Sequence, residues 1–159
     1  MISMISSFRL TRPLRQAGLC LLAALLAGPT SAAADLAWTL DRTSTGLQAL
    51  GRPVVVVYAP KSKTSPQLTS NARITQVYAS RDYEGLAQVS TELCWGSPKG
   101  LCVPLQGRHI NTSAFNGKPA NGPLLLVHRV DRWVGDHPPL FVRGTVTVWY
   151  ADQPHAQVR

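Results

Sequence analysis

Two of the three cysteines in this 159-residue chain, Cys94 and Cys102, bracket a short turn-forming segment, Gly96-Ser97-Pro98-Lys99-Gly100. Catalytic redox pairs use the tighter Cys-x-x-Cys spacing, so this wider pair reads as a structural disulfide. The four histidines (His109, His128, His137, His155) are far apart in the sequence. A zinc site needs three or four converging ligands, and His109 with His137 is the single pairing worth considering. The eight acidic residues are dispersed as well. Asp131 and Asp136 flank a turn, where Asp is favoured for its backbone hydrogen bonds, so no catalytic carboxylate pair is indicated. The chain has no Gly-x-Ser-x-Gly elbow, P-loop, His-Glu-x-x-His or dinucleotide fingerprint. Asn111-Thr112-Ser113 fits a glycosylation sequon, which matters only in a eukaryotic secretory route. These residues predict a protein that binds rather than catalyses, with no catalytic residue, cofactor or metal.

The elements around the cysteines follow from parity. Before the turn, Ala87, Val89, Leu93 and Trp95 are apolar at odd positions, while Gln88, Ser90 and Glu92 are polar at even ones. After it, Leu101, Val103 and Leu105 are again apolar and odd. Such alternation marks a half-buried strand on each side. With 96–100 as the loop, Trp95 faces Leu101, Leu93 faces Val103 and Cys94 faces Cys102. Opposed residues of an antiparallel pair point to the same side, so the sulfurs meet on the face away from the apolar stripe. A bulge at Gly100 would break this register.

The N-terminus predicts export. Arg9, Arg12 and Arg15 form a positive region, Ala17–Gly28 is apolar, and Ala32-Ala33-Ala34 offers a small-residue cleavage site. This is a secretory signal pattern, too short for a membrane span. Residues 1–34 are therefore expected to be removed. That leaves 35–159 as one domain of 125 residues, large enough for a real core, and removes Cys20. A disulfide persists in an exported protein. Closing a loop of about nine residues contributes roughly 2–3 kcal/mol on the chain-entropy account. Losing the leader's three arginines lowers the formal charge from +8 to +5. The remaining basic residues are scattered, which argues against nucleic-acid binding.

Along the chain, strands are expected at Leu36–Leu40, Val54–Tyr58, Arg73–Ala79, on both sides of the cysteine turn, at Leu124–Val130 and over Leu140–Tyr150. Arg42–Gly51, Ala59–Asn71 and Gln106–Pro123 read as loops, with Phe115 pinning the last of them to the core. In the final strand the even positions from Leu140 to Tyr150 face the core, and Gly144 suggests a bend or bulge. Residues 151–159 read as a frayed tail. No helical period follows residue 34, so the expected fold is all-β, an antiparallel β-sandwich with one disulfide-stapled hairpin. Val54–Tyr58 and Leu124–Val130 are apolar on both faces, more than a lone two-layer sandwich needs. One outer face is therefore expected to pack on a partner or a second copy. The candidate contact residues are Val55, Val57, Leu125, Val127 and Trp149, with Phe115 as a loop residue. Trp95 joins them if it is exposed beside the hairpin tip, although its parity places it with the core.

These pieces, in this order, resemble the FlhE family of bacterial flagellar proteins. The resemblance is carried by Leu93-Cys94, Cys102-Val103, Leu105, Gly107, Phe115, Pro119-Ala120, Pro123-Leu124, Pro139-Leu140 and Val146-x-Val148-x-Tyr150. It runs from the leader through Trp38 to the C-terminal strand, and residues 41–92 match more loosely, chiefly around Tyr58 and Ser65-Pro66. Two features depart from the family pattern, a longer loop between the cysteines and nine residues beyond Tyr150. The resemblance implies a periplasmic, non-enzymatic accessory or chaperone-type factor of the flagellar type III export apparatus. Such a factor is expected to limit proton leakage and to bind an export-gate component (FlhA-like) or a rod protein. The competing expectations are a periplasmic enzyme or inhibitor, with a pocket around His109 and Asn111, and a general pilus-like chaperone with an exposed edge strand.

Overall fold

The computed structural model describes residues 36–61, 68–135 and 138–152, all within the compact unit Ala33–Arg159. The leader, Ser65-Pro66, Asp136, His137 and His155 lie outside the described residues. Eight strands follow in order: β1 Leu36–Thr43, β2 Val54–Tyr58, β3 Ala72–Asp82, β4 Gln88–Trp95, β5 Cys102–Pro104, β6 His109–Thr112, β7 Leu124–Arg132 and β8 Arg143–Asp152. They form two four-stranded sheets, ordered β1-β8-β3-β6 and β2-β7-β4-β5, and every pairing between these strands is antiparallel.

Alternation is what stacks these sheets. The even residues Val146, Val148 and Tyr150 of β8 are buried, as are Val77 and Ala79 of β3, Leu93 of β4 and Leu124 and Leu126 of β7. With Trp38, Tyr58, Ile74 and Phe115 they make the larger core cluster. Leu47, Ala87, Val89, Val130, Leu140 and Val142 make a smaller one. Each fully buried aliphatic side chain contributes about 1.5–3 kcal/mol relative to an exposed one, so the sandwich rests mainly on these two clusters. The hairpin register holds as expected, with Leu93 opposite Val103 and Cys94 opposite Cys102, and the two cysteines are disulfide-bonded. No bulge forms at Gly100.

Several boundaries differ from the sequence expectation. β1 runs on through Asp41 and Arg42, and β3 through Arg81 and Asp82, because each pairs along its length with β8. β6 lies inside the stretch read as a loop. Its His-Ile-Asn-Thr alternation is too short to stand out, and it is a strand because β3 supplies a partner edge. Beyond β6 the chain stays beside β3, with Gly117 N–H donating to Ile74 C=O and Ile74 N–H to Lys118 C=O, each at 2.9 Å. Trp38 Nε1 donates to Ala120 C=O at 3.0 Å. Phe115 is completely buried and anchors this connection, as expected of it.

Gly144 is not a bulge. The pairing of β8 with β3 shifts between Ile74 and Gln76 on the partner strand instead. A Cβ at position 144 would lie 2.6 Å from Leu126 Cδ1 and closer still to the Tyr58 hydroxyl. The glycine therefore makes room for the opposite sheet.

Candidate interaction surface

Strand β2 faces the core on one side only. Val56 and Tyr58 are buried, whereas Val55 and Val57 are 40% and 46% exposed. The described residues of this chain thus leave the outer side of β2 uncovered. On β7, by contrast, Leu125 and Val127 are buried on the outer face of the same sheet. They cluster with Cys94, and Cys102 packs against them. Val55 lies opposite Val127 and Val57 opposite Leu125, so the two exposed valines border this outer apolar cluster.

Further along the same face the chemistry turns polar. Arg129 Nη1 meets Glu92 Oε2 at 2.6 Å with both side chains about one-third exposed, and Ser90 Oγ donates to Asp131 Oδ1 at 2.9 Å. An exposed pair of this kind adds little stability, but it gives the face a charged limit.

The remaining candidates separate by burial. Phe115, Leu125 and Val127 have almost no accessible surface, which leaves a partner nothing to touch. Trp95 is half-buried against the main core. Its indole fills the space a Cβ at Gly122 would need. Trp149 is half-buried on the outer face of the other sheet, opposite Ala37 and Gln76. Its neighbours there include the hydrogen-bonded hydroxyls of Thr39 and Thr147, 2.9 Å apart. Val55, Val57 and Trp149 therefore belong to different sheets and form no single patch.

The chemistry-bearing residues do not converge. No group of three His, Cys, Asp or Glu side chains among the described residues is placed to hold a metal. His109 is exposed on β6 beside Tyr78, with ring centroids 6.3 Å apart. Asn111 accepts a hydrogen bond from Gln76 Nε2 at 2.7 Å. Two open grooves are present. One, of about 370 Å³, lies beside Thr45, Gln48, Arg52 and Val55. The other, of about 450 Å³, lies beside Asp82, Tyr83, Phe141 and Arg143. Neither is lined by His109 or Asn111, and Asp82 is engaged by Arg108 at 2.7 Å.

One polar group inside the sandwich escaped sequence reading. His128 is fully buried, with Nδ1 2.9 Å from Thr91 Oγ1 and no partner for Nε2 among the described residues. Burial, with a smaller push from the Arg81 guanidinium, lowers its pKa from 6.5 to about 4, because a low-dielectric site disfavours the charged imidazole. Arg81 reaches in from the other sheet. Its Nε and Nη2 donate to Gly107 C=O, its Cζ lies 5.5 Å from the Tyr83 ring centroid, and Nη1 is buried without a described partner. Burial lowers its pKa as well. Parity did carry a signal for His128, since Leu124, Leu126 and Val130 share its even face.

The described residues define a disulfide-stapled antiparallel β-sandwich. The sequence matches no protein-family model and no curated protein. Among solved structures, the chain is similar to the crystal structure of FlhE, at 20% identity and a TM-score of 0.56, covering 75% of this chain and 98% of that one. This likeness shows a shared fold. Chains from the structures of Desmodium yellow mottle tymovirus and of the giant freshwater prawn Macrobrachium rosenbergii extra small virus VLP also align, at 14% and 16% identity. They cover 94% and 90% of this chain, but with TM-scores of 0.30 and 0.29 they bear on nothing further.

Proposed function

We propose that this chain is a non-enzymatic accessory factor of the flagellar type III export apparatus. It acts from the periplasm and limits proton leakage through the export gate by binding a gate or rod component. The observation that carries this reading is the fold likeness to FlhE over nearly that protein's whole length, together with the ordered motifs from Leu93 to Tyr150. The disulfide adds to it, because such a bond persists in oxidising compartments such as the periplasm. So does the leader pattern in residues 1–34. The scatter of histidines and acids favours binding over catalysis.

The test is cellular. The gene is deleted, and motility is followed together with cytoplasmic pH during an external acid shift. The expected result is a cytoplasmic pH drop, rescued by the full chain and not by a form lacking residues 1–34. Normal motility and normal cytoplasmic pH in the deletion strain would overturn the reading and leave the fold untouched.

A further inference from the structure

The hydrogen-bond register shows which backbone groups of β2 point outward. Gly96 N–H donates to Pro123 C=O at 3.0 Å, which turns that carbonyl toward β4. Alternation along β7 then directs Leu125 and Val127 toward β4, and Leu124, Leu126 and His128 toward β2. Their partners Tyr58, Val56 and Val54 bond β7 in turn. Val55 and Val57 are left with N–H and C=O groups aimed away from the sheet, and their side chains are exposed.

β2 is an edge strand, and natural edges are blunted by charge, proline or brevity. The other three described edges follow that rule. β5 has three residues, includes Pro104 and is tied down by the disulfide. β6 has four and is polar. β1 carries Asp41 and Arg42. β2 reads Val-Val-Val-Val-Tyr with no charge, proline or bulge.

We infer that the open edge of β2 binds an extended segment of another protein by strand addition, one with aliphatic residues at alternate positions and acidic residues at its ends. The main-chain groups of Val55 and Val57 supply the ladder, and their side chains select aliphatic residues opposite. Charge decides between occupants. Arg52 precedes the strand and Lys61 follows it, both exposed. An antiparallel second copy centred on Val56 would set Arg52 near Lys61 of that copy at both ends. Acidic ends on a foreign strand meet the same two cations favourably. This inference concerns how a partner is held and stands whether or not the flagellar reading does.

The probe is a synthetic peptide, Glu-Val-Thr-Val-Thr-Val-Glu with blocked termini, titrated to millimolar concentration into the full-length disulfide-bonded chain and followed by amide NMR. Without peptide, the Val55 and Val57 amides should exchange with solvent much faster than those of Val56 and Tyr58. With it, shifts should centre on Val55, Val57 and Ala59. A Lys-ended version should bind at least five-fold more weakly. Val57→Pro removes an outward donor and no bond to β7, so it should abolish binding at an unchanged melting temperature. A peptide N-methylated at alternate amides makes the same test if that variant misfolds. Absence of shifts at β2 overturns the inference. So does slow exchange of Val55 and Val57 in the free monomer, which would mean the chain covers its own edge. Self-association lost in Val57→Pro, without peptide binding, would assign the edge to a second copy and overturn it too.

Discussion

His128 offers the sharpest check on how the interior is built. Buried between the sheets, with its pKa lowered from 6.5 to about 4, it stays neutral in the folded chain and takes up a proton on unfolding. The unfolded state therefore binds more protons throughout the window between those values. Stability from this source is complete above about pH 6.5, falls as pH drops through the window, and is fully lost below about 4. From pH 7.5 to 4.5 the loss comes to about 2–3 kcal/mol, since each pKa unit is worth about 1.4 kcal/mol. The comparison protein is His128→Gln, whose amide keeps a partner for Thr91 and does not titrate. Urea unfolding of both proteins at several pH values between 7.5 and 4.5 reads the difference, and carboxylate contributions common to the two cancel. The wild type should lose about 2–3 kcal/mol more than the variant over that range. Parallel pH profiles, agreeing within about 0.5 kcal/mol, would refute the buried, neutral imidazole and with it the packing drawn around Arg81 and Thr91.

Other outcomes follow from the same packing. Replacing both Cys94 and Cys102 by Ala should lower stability by about 2–3 kcal/mol, read as a lower urea midpoint, with far-UV circular dichroism unchanged. Phe115→Ala should cost about 3–5 kcal/mol in urea unfolding, whereas Val55→Ala on the exposed edge should stay within about 0.5 kcal/mol. Gly144→Ala should cost about 1–3 kcal/mol by overpacking against Tyr58 and Leu126, visible as a lower melting temperature. Gly122→Ala must displace the Trp95 indole, so its tryptophan emission should shift toward that of a solvated ring.

How much of this was legible in the sequence depends on the range of the interaction involved. The β4–β5 hairpin was readable because its signals are local. Turn residues, parity and cysteine spacing all lie within Leu93–Gly107 and agree on one register. The inward face of β8 was readable for the same reason, as an alternation sustained from Leu140 to Tyr150. β6 was not, because four residues of mixed character become a strand only when β3 lies alongside. The C-terminal ends of β1 and β3 were missed because Asp41, Arg42, Arg81 and Asp82 are polar, and they extend only through their pairing with β8.

The candidate surface shows the same division more strongly. The sequence offered Val55 and Val57 of β2, and Leu125 and Val127 of β7, as candidate contacts on strands apolar on both faces, and in the fold the four share one outer face. What parity could not supply was the sheet order. β7 is central, flanked by β2 and β4, so Leu125 and Val127 are buried among neighbours that include Cys94 and Cys102. β2 is terminal, so its valines keep both their side chains and their outward amides in solvent. Phe115, Leu125 and Val127 thus leave the list of contacts for a tertiary reason and not a compositional one. Gly144 makes the complementary point. Its place in the alternation suggested a local bend, but its cause is the Tyr58 hydroxyl and Leu126 arriving from the other sheet. Local pattern says which way a residue points. What it meets there is set by strands distant in sequence.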